Sequence, residues 1–322
     1  MATSPIALGQ LARLAMATES GSYGTPAATG YRYHYFYSSS LRETKPIEND
    51  PVIGAGLQNF RDATAPAPAQ SEHNGQIAVP VCLNGIGDWL ALVLGPPTTT
   101  GAADFTHVFS SGAVTLPTNT IEFNPATNDF RQHVGVAARS LKFDFQGGNG
   151  YQRAEFDMLG WGENLLTATG AGSPLAPRAY DPVKATGAAV FLDGTQIGVL
   201  LSASLTYETG LIQDRYIDGS DRFGAAILAE QANLTGELRV RYTSPTFDAA
   251  AIAESDHALE IRMIKSAKNS LTLSAPAARL SRAGVPINGP GGIEQTIPFR
   301  CAQTGAAAMF TATLKNQVPS YS

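Results

Sequence analysis

The sequence is poor in charge, has two cysteines and lacks long apolar runs. Charged residues make up 15% of its 322 residues, against roughly 25% in an average domain, while the hydrophobic fraction of 43% is ordinary. A disordered chain would be rich in charge and poor in apolar residues, so we expect a folded protein. Interface centres are depleted of charge, which would explain the composition if copies cover each other. A surface of small neutral residues is the alternative explanation.

The charges that are present do not form blocks of one sign. The formal net charge is −5, and no five consecutive residues carry the same charge. Affinity for a nucleic acid backbone comes from clustered Lys and Arg. The sequence therefore predicts no specific binding of nucleic acid, and its mild negative balance would let DNA pass without sticking.

The cysteines and the apolar segments also restrict the class of protein. Cys82 and Cys301 are far apart and lie in apolar stretches, which is typical of buried free thiols in a reducing compartment. The N-terminus lacks the basic segment of a secretory signal, and we expect no signal peptide. The longest apolar segment, Ile86–Leu94, contains Asp88 and is too short to cross a membrane.

Motifs for catalysis, cofactors and metals are missing from the sequence. It has no dinucleotide, P-loop, zinc-protease or nucleophile-elbow pattern. The glycine clusters at 147–150 and 289–292 do not lead into helices, so they predict turns and not phosphate sites. We therefore predict a protein that is not an enzyme and has no catalytic, cofactor or metal site. The histidines are isolated along the chain and are expected at the surface or at strand ends: His34, His73, His107, His133 and His257.

Two acidic groups resemble sites only superficially. The aspartates Asp214, Asp218 and Asp221 do not have the EF-hand spacing, and they predict a solvated loop that makes salt bridges to a neighbouring subunit. Glu43 and Glu208 stand at similar places in the two halves, but paired carboxylates also need a pocket and a shifted pKa, which the sequence does not indicate.

Hydrophobic periodicity predicts a β protein. Residues 1–30 form a polar arm, and the aromatic alternation from Tyr31 to Tyr37 predicts a strand packed between two layers, with a stacking platform for sugar or nucleic acid as the alternative. The proline-containing loop 43–74 is unusually long, which indicates a role. The remaining predicted elements are strands at 76–83, 105–109 and 120–123, a helix at 86–95 that Asp88 caps, a hairpin with arms 139–145 and 151–159, and a Gly/Ala/Pro-rich segment at 168–181.

The second half of the chain repeats this order of elements at low identity. We interpret it as two copies of one β unit, each with one short helix, and one large sandwich is the alternative. The predicted divisions are an arm at 1–30, a first unit at 31–167, a linker at 168–184 and a second unit at 185–322. The matched segments are 38–44 with 202–209, 75–79 with 236–240, 87–91 with 247–251, 120–123 with 270–273, and the hairpin around 147–150 with 297–314.

Several phrases resemble the family of phage tail tube proteins. Residues 16–26 (MATESGSYGTP) resemble the family's opening phrase E-T/S-x-x-G-T, and the likeness continues at 202–208, 236–240 and 312–316. The resemblance implies a mainly β fold of two tandem tail-tube-like β-sandwich or barrel units. It also implies a structural subunit of the virion tail, assembled in the host cytoplasm, whose stacked rings conduct DNA without binding it specifically.

The resemblance further implies how copies meet. Two units per chain predict a ring trimer with pseudo-sixfold symmetry; a hexamer whose subunit has one tube domain and an appended β domain is the alternative. The arm at 1–30 and the loop 43–74 would contact the next ring, and the strands in 139–159 and 296–314 are candidates to line a neutral or acidic bore. Expected partners are the chain itself and the tail terminator, distal tail and tape measure proteins, with no membrane. Rival functions are another tail protein (terminator or decoration) and a carbohydrate-binding or adhesin β-sandwich.

Overall fold

The computed structural model describes residues 7–52, 62–214, 226–287 and 289–321. This part of the chain is mainly β, as predicted, and each half has one α-helix. The first half contains β1 (Arg13–Thr18), β2 (Arg32–His34), β3 (Ser38–Ser39), β4 (Arg42–Thr44), β5 (Ile47–Glu48), β6 (Ala67–Pro68), β7 (Glu72–Pro80), α1 (Ile86–Leu94), β8 (Thr98–Thr100), β9 (Phe105–Ser110), β10 (Asn119–Ala126), β11 (Asp129–Gln146), β12 (Arg153–Leu159) and β13 (Gly162–Leu166).

The second half follows a short 3₁₀ turn at Ala185–Gly187. Its elements are β14 (Ala188–Leu192), β15 (Thr195–Gln196), β16 (Leu200–Glu208), β17 (Leu211–Asp214), β18 (Ala226–Ala229), β19 (Asn233–Arg241), α2 (Thr246–Ile252), β20 (His257–Ile264), β21 (Ser270–Leu280), β22 (Glu294–Cys301) and β23 (Thr311–Asn316).

Antiparallel pairing joins most strands into one network. The longest strand, β11, connects two parts of it: its first half pairs with β10 and β13, and its second half pairs with β12 and β16. One continuous sheet therefore runs through β3/β4, β7, β12, β11, β16, β19 and β22, and it crosses from the first half of the chain to the second at the β11–β16 pair.

The order of strand pairing recurs in the two halves. The row β1–β10–β11–β13 has the same connections as β14–β20–β21–β23, and β3/β4–β7–β12–β11 has the same connections as β16–β19–β22–β21. A glycine marks the match: Gly75 of β7 lies against Leu41, and Gly236 of β19 lies opposite Leu205. This agrees with matching 38–41 to 202–205. The unit boundaries themselves stay a prediction.

The later sequence matches are wrong in register. Residues 120–123 lie in β10, whereas 270–273 lie in β21, whose pairing makes it the counterpart of β11. The hairpin around 147–150 accordingly corresponds to β21 and β22, and not to residues 297–314. Strand sequences resemble each other because all share the alternating pattern, so pairing and not residue similarity identifies the counterpart.

The predicted helix is confirmed, but its surroundings differ from the prediction. Every residue of α1 is buried, so the helix has no solvent face, and the ring of Trp89 lies 5.2 Å from that of Phe156. Asp88 does not cap the helix; its carboxylate binds Arg178 through two contacts of 3.1 Å. Because Arg178 belongs to the segment 168–184, this segment packs against the fold. Its backbone also pairs there, Val183 with Val81 and Gln152.

The described part of the predicted arm, residues 7–30, packs into the fold. Residues 13–18 form β1, which pairs with β10 and β2, and the side chains of Leu14 and Met16 are buried. Both faces of β1 are covered, and its small alanines permit this packing. After β1, the carboxylate of Glu19 accepts hydrogen bonds from Thr118 and Thr120. The residues of this segment that stay exposed, among them 7–11 and 28–30, remain available for the predicted contact with another ring.

The aromatic run and the long loop are more broken than the sequence predicts. β2 covers only Arg32–His34, and of the four tyrosines only Tyr31 is fully buried, while Tyr35 and Tyr37 are each at least 40% exposed. The loop 43–74 contains strand residues at both ends and a two-residue ladder, β5 with β6. Residues 53–61 of this loop lie outside the described residues.

Candidate functional site

The described residues contain no cluster of three or more metal-ligating side chains. Neither helix in the described ranges combines the length and apolarity needed to cross a membrane. Glu43 and Glu208, which stand at similar places in the two halves, do not form a carboxylate pair. Glu43 and Glu163 each accept the backbone N–H of the other, at 2.7 and 3.1 Å, which ties β4 to β13. Glu208 is on β16, with β7, β12 and β11 between it and β4. Asp214 ends β17, and Asp218 and Asp221 lie outside the described residues.

The cysteines are buried free thiols, as predicted. Cys82 lies against the segment 168–184, where its sulfur accepts the N–H of Asp181 at 3.2 Å. Cys301 ends β22, and burial raises the pKa of its thiol to about 12. Thiolate is the reactive form, so a thiol with this pKa is inert near neutral pH.

The histidine prediction is wrong for three residues, which are buried in the interior. His73 of β7 and His133 of β11 stack with ring centroids 5.0 Å apart and share a hydrogen bond of 2.8 Å between Nε2 and Nδ1. His107 of β9 is bound on both ring nitrogens, by the Thr99 hydroxyl at 2.8 Å and the Val318 carbonyl at 2.9 Å. The sequence does not reveal the pair of His73 and His133, because the two residues are far apart in the chain and only the folding of the strands brings them together.

Burial lowers the pKa of His34, His107 and His133. Desolvation lowers the pKa of His133 to about 3, and the charges of His73 and Arg131 lower it further in the same direction. Desolvation likewise lowers the pKa of His34 to about 4, where the ring packs edge-on against Trp89. The stacked and hydrogen-bonded rings of His73 and His133 act as polar packing groups of the core.

We expect the protein to lose stability on acidification because of His133. The unfolded chain binds a proton near pH 6.5 while the folded chain does not until about pH 3, so the stabilising effect is complete above pH 6.5 and is lost progressively below it. At pH 5 the loss is about 2 kcal/mol from this residue. Urea titrations of dilute protein at pH 7 and pH 5 measure it. The His133→Gln variant should lose about 2 kcal/mol less than the parent between these pH values, and equal losses would contradict the assignment.

The candidate functional surface is one face of the continuous sheet. Along each strand of this sheet alternate side chains are buried, and the two helices lie on the buried side: Trp89 of α1 contacts Phe156, and Asp248 of α2 accepts a hydrogen bond of 2.8 Å from Gln295. We call the opposite, uncovered side the open face. Its side chains are Gln76, Ala78, Ser140, Lys142, Asp144, Gln146, Arg153, Glu155, Asp157, Ser202, Ser204, Thr206, Glu208, Thr235, Glu237, Arg239, Arg241, Thr296, Pro298 and Arg300.

The open face carries charges of both signs, and many of them are paired. Lys142 lies 2.7 Å from Asp144, Arg139 beside this face lies 2.5 Å from Asp157, and Glu294 binds both Arg239 and Arg241. Each of these cations therefore has a carboxylate beside it, and hydroxyl side chains from β16 separate the charged groups. Cations held this way offer little net attraction to a polyanion.

The two ends of the sheet differ from its interior. Strand β16 has neighbours on both sides, β11 and β19. Its counterpart β3/β4 has β7 on one side and, on the other, a groove of about 560 Å³. No described strand pairs with β3/β4 on the groove side, where the Glu163 carboxylate accepts the Glu43 N–H at 3.1 Å. Apolar side chains line part of this groove: Phe36, Leu41 and Phe123. An unpaired strand edge of this kind invites pairing with another chain.

Comparison with known proteins identifies the family. A family model described as phage tail tube protein matches residues 9–301. The curated proteins give no match. The family match includes the segments of the sequence resemblance up to residue 240, the open sheet and both helices. Because it covers most of the chain, the protein belongs to the phage tail tube protein family and is a structural subunit of a phage tail.

Proposed function

We propose that copies of this chain join edge to edge into rings, and that the rings stack into a tube that conducts DNA. The observation that carries the proposal is the continuous sheet, which has a covered face, an open face and, at β3/β4, an edge with no partner strand among the described residues. Closing the sheet through neighbouring copies would satisfy this edge. Stacking of such rings is an open, heterologous assembly, as a tube requires.

The ring proposed is a trimer with pseudo-sixfold symmetry. Recurrent strand pairing in the two halves supports two equivalent units per chain, and three chains would then supply six units. The β11–β16 pair already joins the two units inside one chain. A hexamer of chains with one tube unit each would leave the second half outside the ring, and the continuous sheet favours the trimer.

We assign the bore to the open face. Both helices lie against the other face of the sheet. In the proposed tube the helices therefore lie on the outside, and the open face lines the bore. Paired charges and hydroxyls on this face would give DNA few free cations to bind, which suits rapid passage. A solved tube with a continuous Lys/Arg track along its bore would contradict this assignment.

The role of the chain is structural, without catalysis. Contacts between rings are assigned to the residues before β1 and to the loop 43–74, whose β5–β6 ladder extends from the sheet edge. The other tail components, namely the terminator, distal tail and tape measure proteins, would meet the ends and the interior of the tube. Assembly is placed in the host cytoplasm, where the free buried thiols would stay reduced.

Electron microscopy of the purified chain tests this function. We expect concentrated protein to form long hollow tubes with regularly stacked rings, and class averages of end views to show sixfold appearance. Discrete single rings would favour a terminator, and monomers that bind glycans would favour an adhesin. Mass measurement of a dissociated ring distinguishes three chains from six.

A further inference from the structure

The junction inside the chain shows how two units connect. Residues 140–146 of β11 pair with residues 202–208 of β16, with Phe143 opposite Leu205. Alternate side chains of this part of β11 enter the core, and the rings of Phe143 and Phe145 stack 5.8 Å apart. Backbone pairing together with an apolar inner row therefore joins the units.

The counterpart of β11 stops short of such a junction. Ala138 of β11 lies opposite Met158, and Leu280 of β21 lies opposite Phe299. Met158 lies opposite Gly75, and Phe299 lies opposite Gly236, the equivalent glycine of the second half. Met158 and Phe299 are therefore equivalent residues. Because Ala138 and Leu280 lie opposite them, Leu280 occupies the place of Ala138. β11 continues to Gln146, whereas β21 ends at Leu280.

The residues after β21 have the pattern of the missing strand. Counting from Leu280, residues 281–287 take the places of 139–145. Ala283, Val285 and Ile287 then fall where Leu141, Phe143 and Phe145 enter the core. Nearly all of this segment is exposed, and the side chain of Ile287 is 74% exposed. Ser281 donates its N–H to the Pro298 carbonyl at 2.8 Å, which starts the segment along β22.

The other edge has the matching vacancy. In the second unit, β11 fills the space beside β16. In the first unit, the space beside β3/β4 is the groove, which Phe36, Leu41 and Phe123 line in part, together with charged side chains. One of these, the Glu163 carboxylate, accepts the Glu43 N–H and must give way to a pairing strand. Leu41 occupies the place of Leu205, because each lies at the repeated glycine in its unit.

We propose that residues 281–287 of one chain form an antiparallel strand against residues 38–44 of the next chain, with Val285 opposite Leu41. This contact rests on the proposed function and identifies its partner surface: it would repeat between chains the junction that β11 and β16 make within one. Gly284 has a φ of 71° and must straighten on pairing, which glycine does with little strain. Burial of Val285 and Ile287 in the groove stabilises the contact.

Disulfide trapping tests the register. Ser140 and Glu208 lie opposite each other within the chain. Arg282 takes the place of Ser140, and Thr44 takes the place of Glu208. The double variant Arg282→Cys with Thr44→Cys should therefore crosslink neighbouring chains in assembled tubes under mild oxidation. The control combines Arg282→Cys with Ser40→Cys. Ser40 lies four residues, or about 13 Å, along the strand from Thr44, so this pair of cysteines should not crosslink. The ladder of covalent species should end at closed trimers.

A charge substitution tests the same edge without crosslinking. Ile287→Asp should leave the fold of the single chain unchanged, because this side chain is exposed, and should reduce tube yield at least tenfold. Val114→Asp is the matched control, since Val114 is 84% exposed and does not line the groove, and it should still form tubes. Tubes that form with Ile287→Asp, or crosslinks only in the control pair, would overturn this contact alone. Failure of the parent chain to form tubes would overturn the proposed function instead.

Discussion

Replacing Gly236 with alanine is expected to destabilise the folded chain by about 3 kcal/mol and to abolish assembly, because added atoms in a packed interior force the backbone to move. Gly236 lies in β19 between two strands that approach closely. A Cβ atom there would lie 2.1 Å from the carbonyl oxygen of Ser204 and 2.5 Å from the ring of Phe299. The oxygen belongs to a paired strand and cannot rotate away, so the β16–β19 ladder must open.

A matched variant separates this close approach from a general effect of alanine. Gly198 precedes β16 and has no atom within 4 Å of the position of an added Cβ. Gly198→Ala should change the free energy of unfolding by less than about 1 kcal/mol. Urea denaturation of dilute protein measures both variants. If Gly236→Ala unfolds at the same urea concentration as Gly198→Ala, the sheet does not have the close packing described here.

Asp88→Ala is expected to cost about 3 kcal/mol, because removing one partner leaves the other charge poorly solvated. Arg178 binds both carboxylate oxygens of Asp88 at 3.1 Å, and its guanidinium also lies 4.7 Å from the ring of Tyr321. The side chains of Arg178 and Asp88 are only 18% and 10% exposed. Loss of the carboxylate would therefore remove this link between the segment 168–184 and α1. It would also leave the largely buried guanidinium of Arg178 without its carboxylate partner.

The exposed ion pair Lys142–Asp144 provides the control for this prediction. Both of its side chains are at least 40% exposed, and Asp144→Ala should cost no more than about 1 kcal/mol. The double variant Asp88→Ala with Arg178→Met should recover part of the loss, since it removes the unpaired charge. If Asp88→Ala and Asp144→Ala lower the free energy of unfolding equally in denaturant titrations, the buried ion pair contributes no more to stability than the exposed one.

Elements with a strong local pattern were predictable from the sequence. The helix before Gly95 is predictable because a short apolar run ends at a glycine, and Gly95 adopts a φ of 87° and closes the helix. The match between residues 38–41 and 202–205 is recognisable because both segments have a serine-rich sequence followed by a leucine. The free cysteines followed from their apolar neighbours and their separation along the chain.

Features that depend on distant residues were not predictable. Asp88 was expected to cap α1 because of its position, but Arg178 ninety residues away decides its role. His73 and His133 were expected to be isolated, and only the folding of β7 near β11 stacks them. The sequence places β1 in a polar arm because its short alanine-rich sequence has weak local preference, and it is a strand because β10 and β2 pair with both its edges.

The sequence by itself determined a mainly β protein of low charge, with two short helices, free thiols and a resemblance to tail tube proteins that the family match confirms. These properties follow from composition and from periods of a few residues, which a chain displays without folding. The tertiary structure alone decided which strands are counterparts, which face of the sheet is open and which strand edge has no strand partner among the described residues. Strand pairing sets these properties, because it joins residues with no local signal for one another.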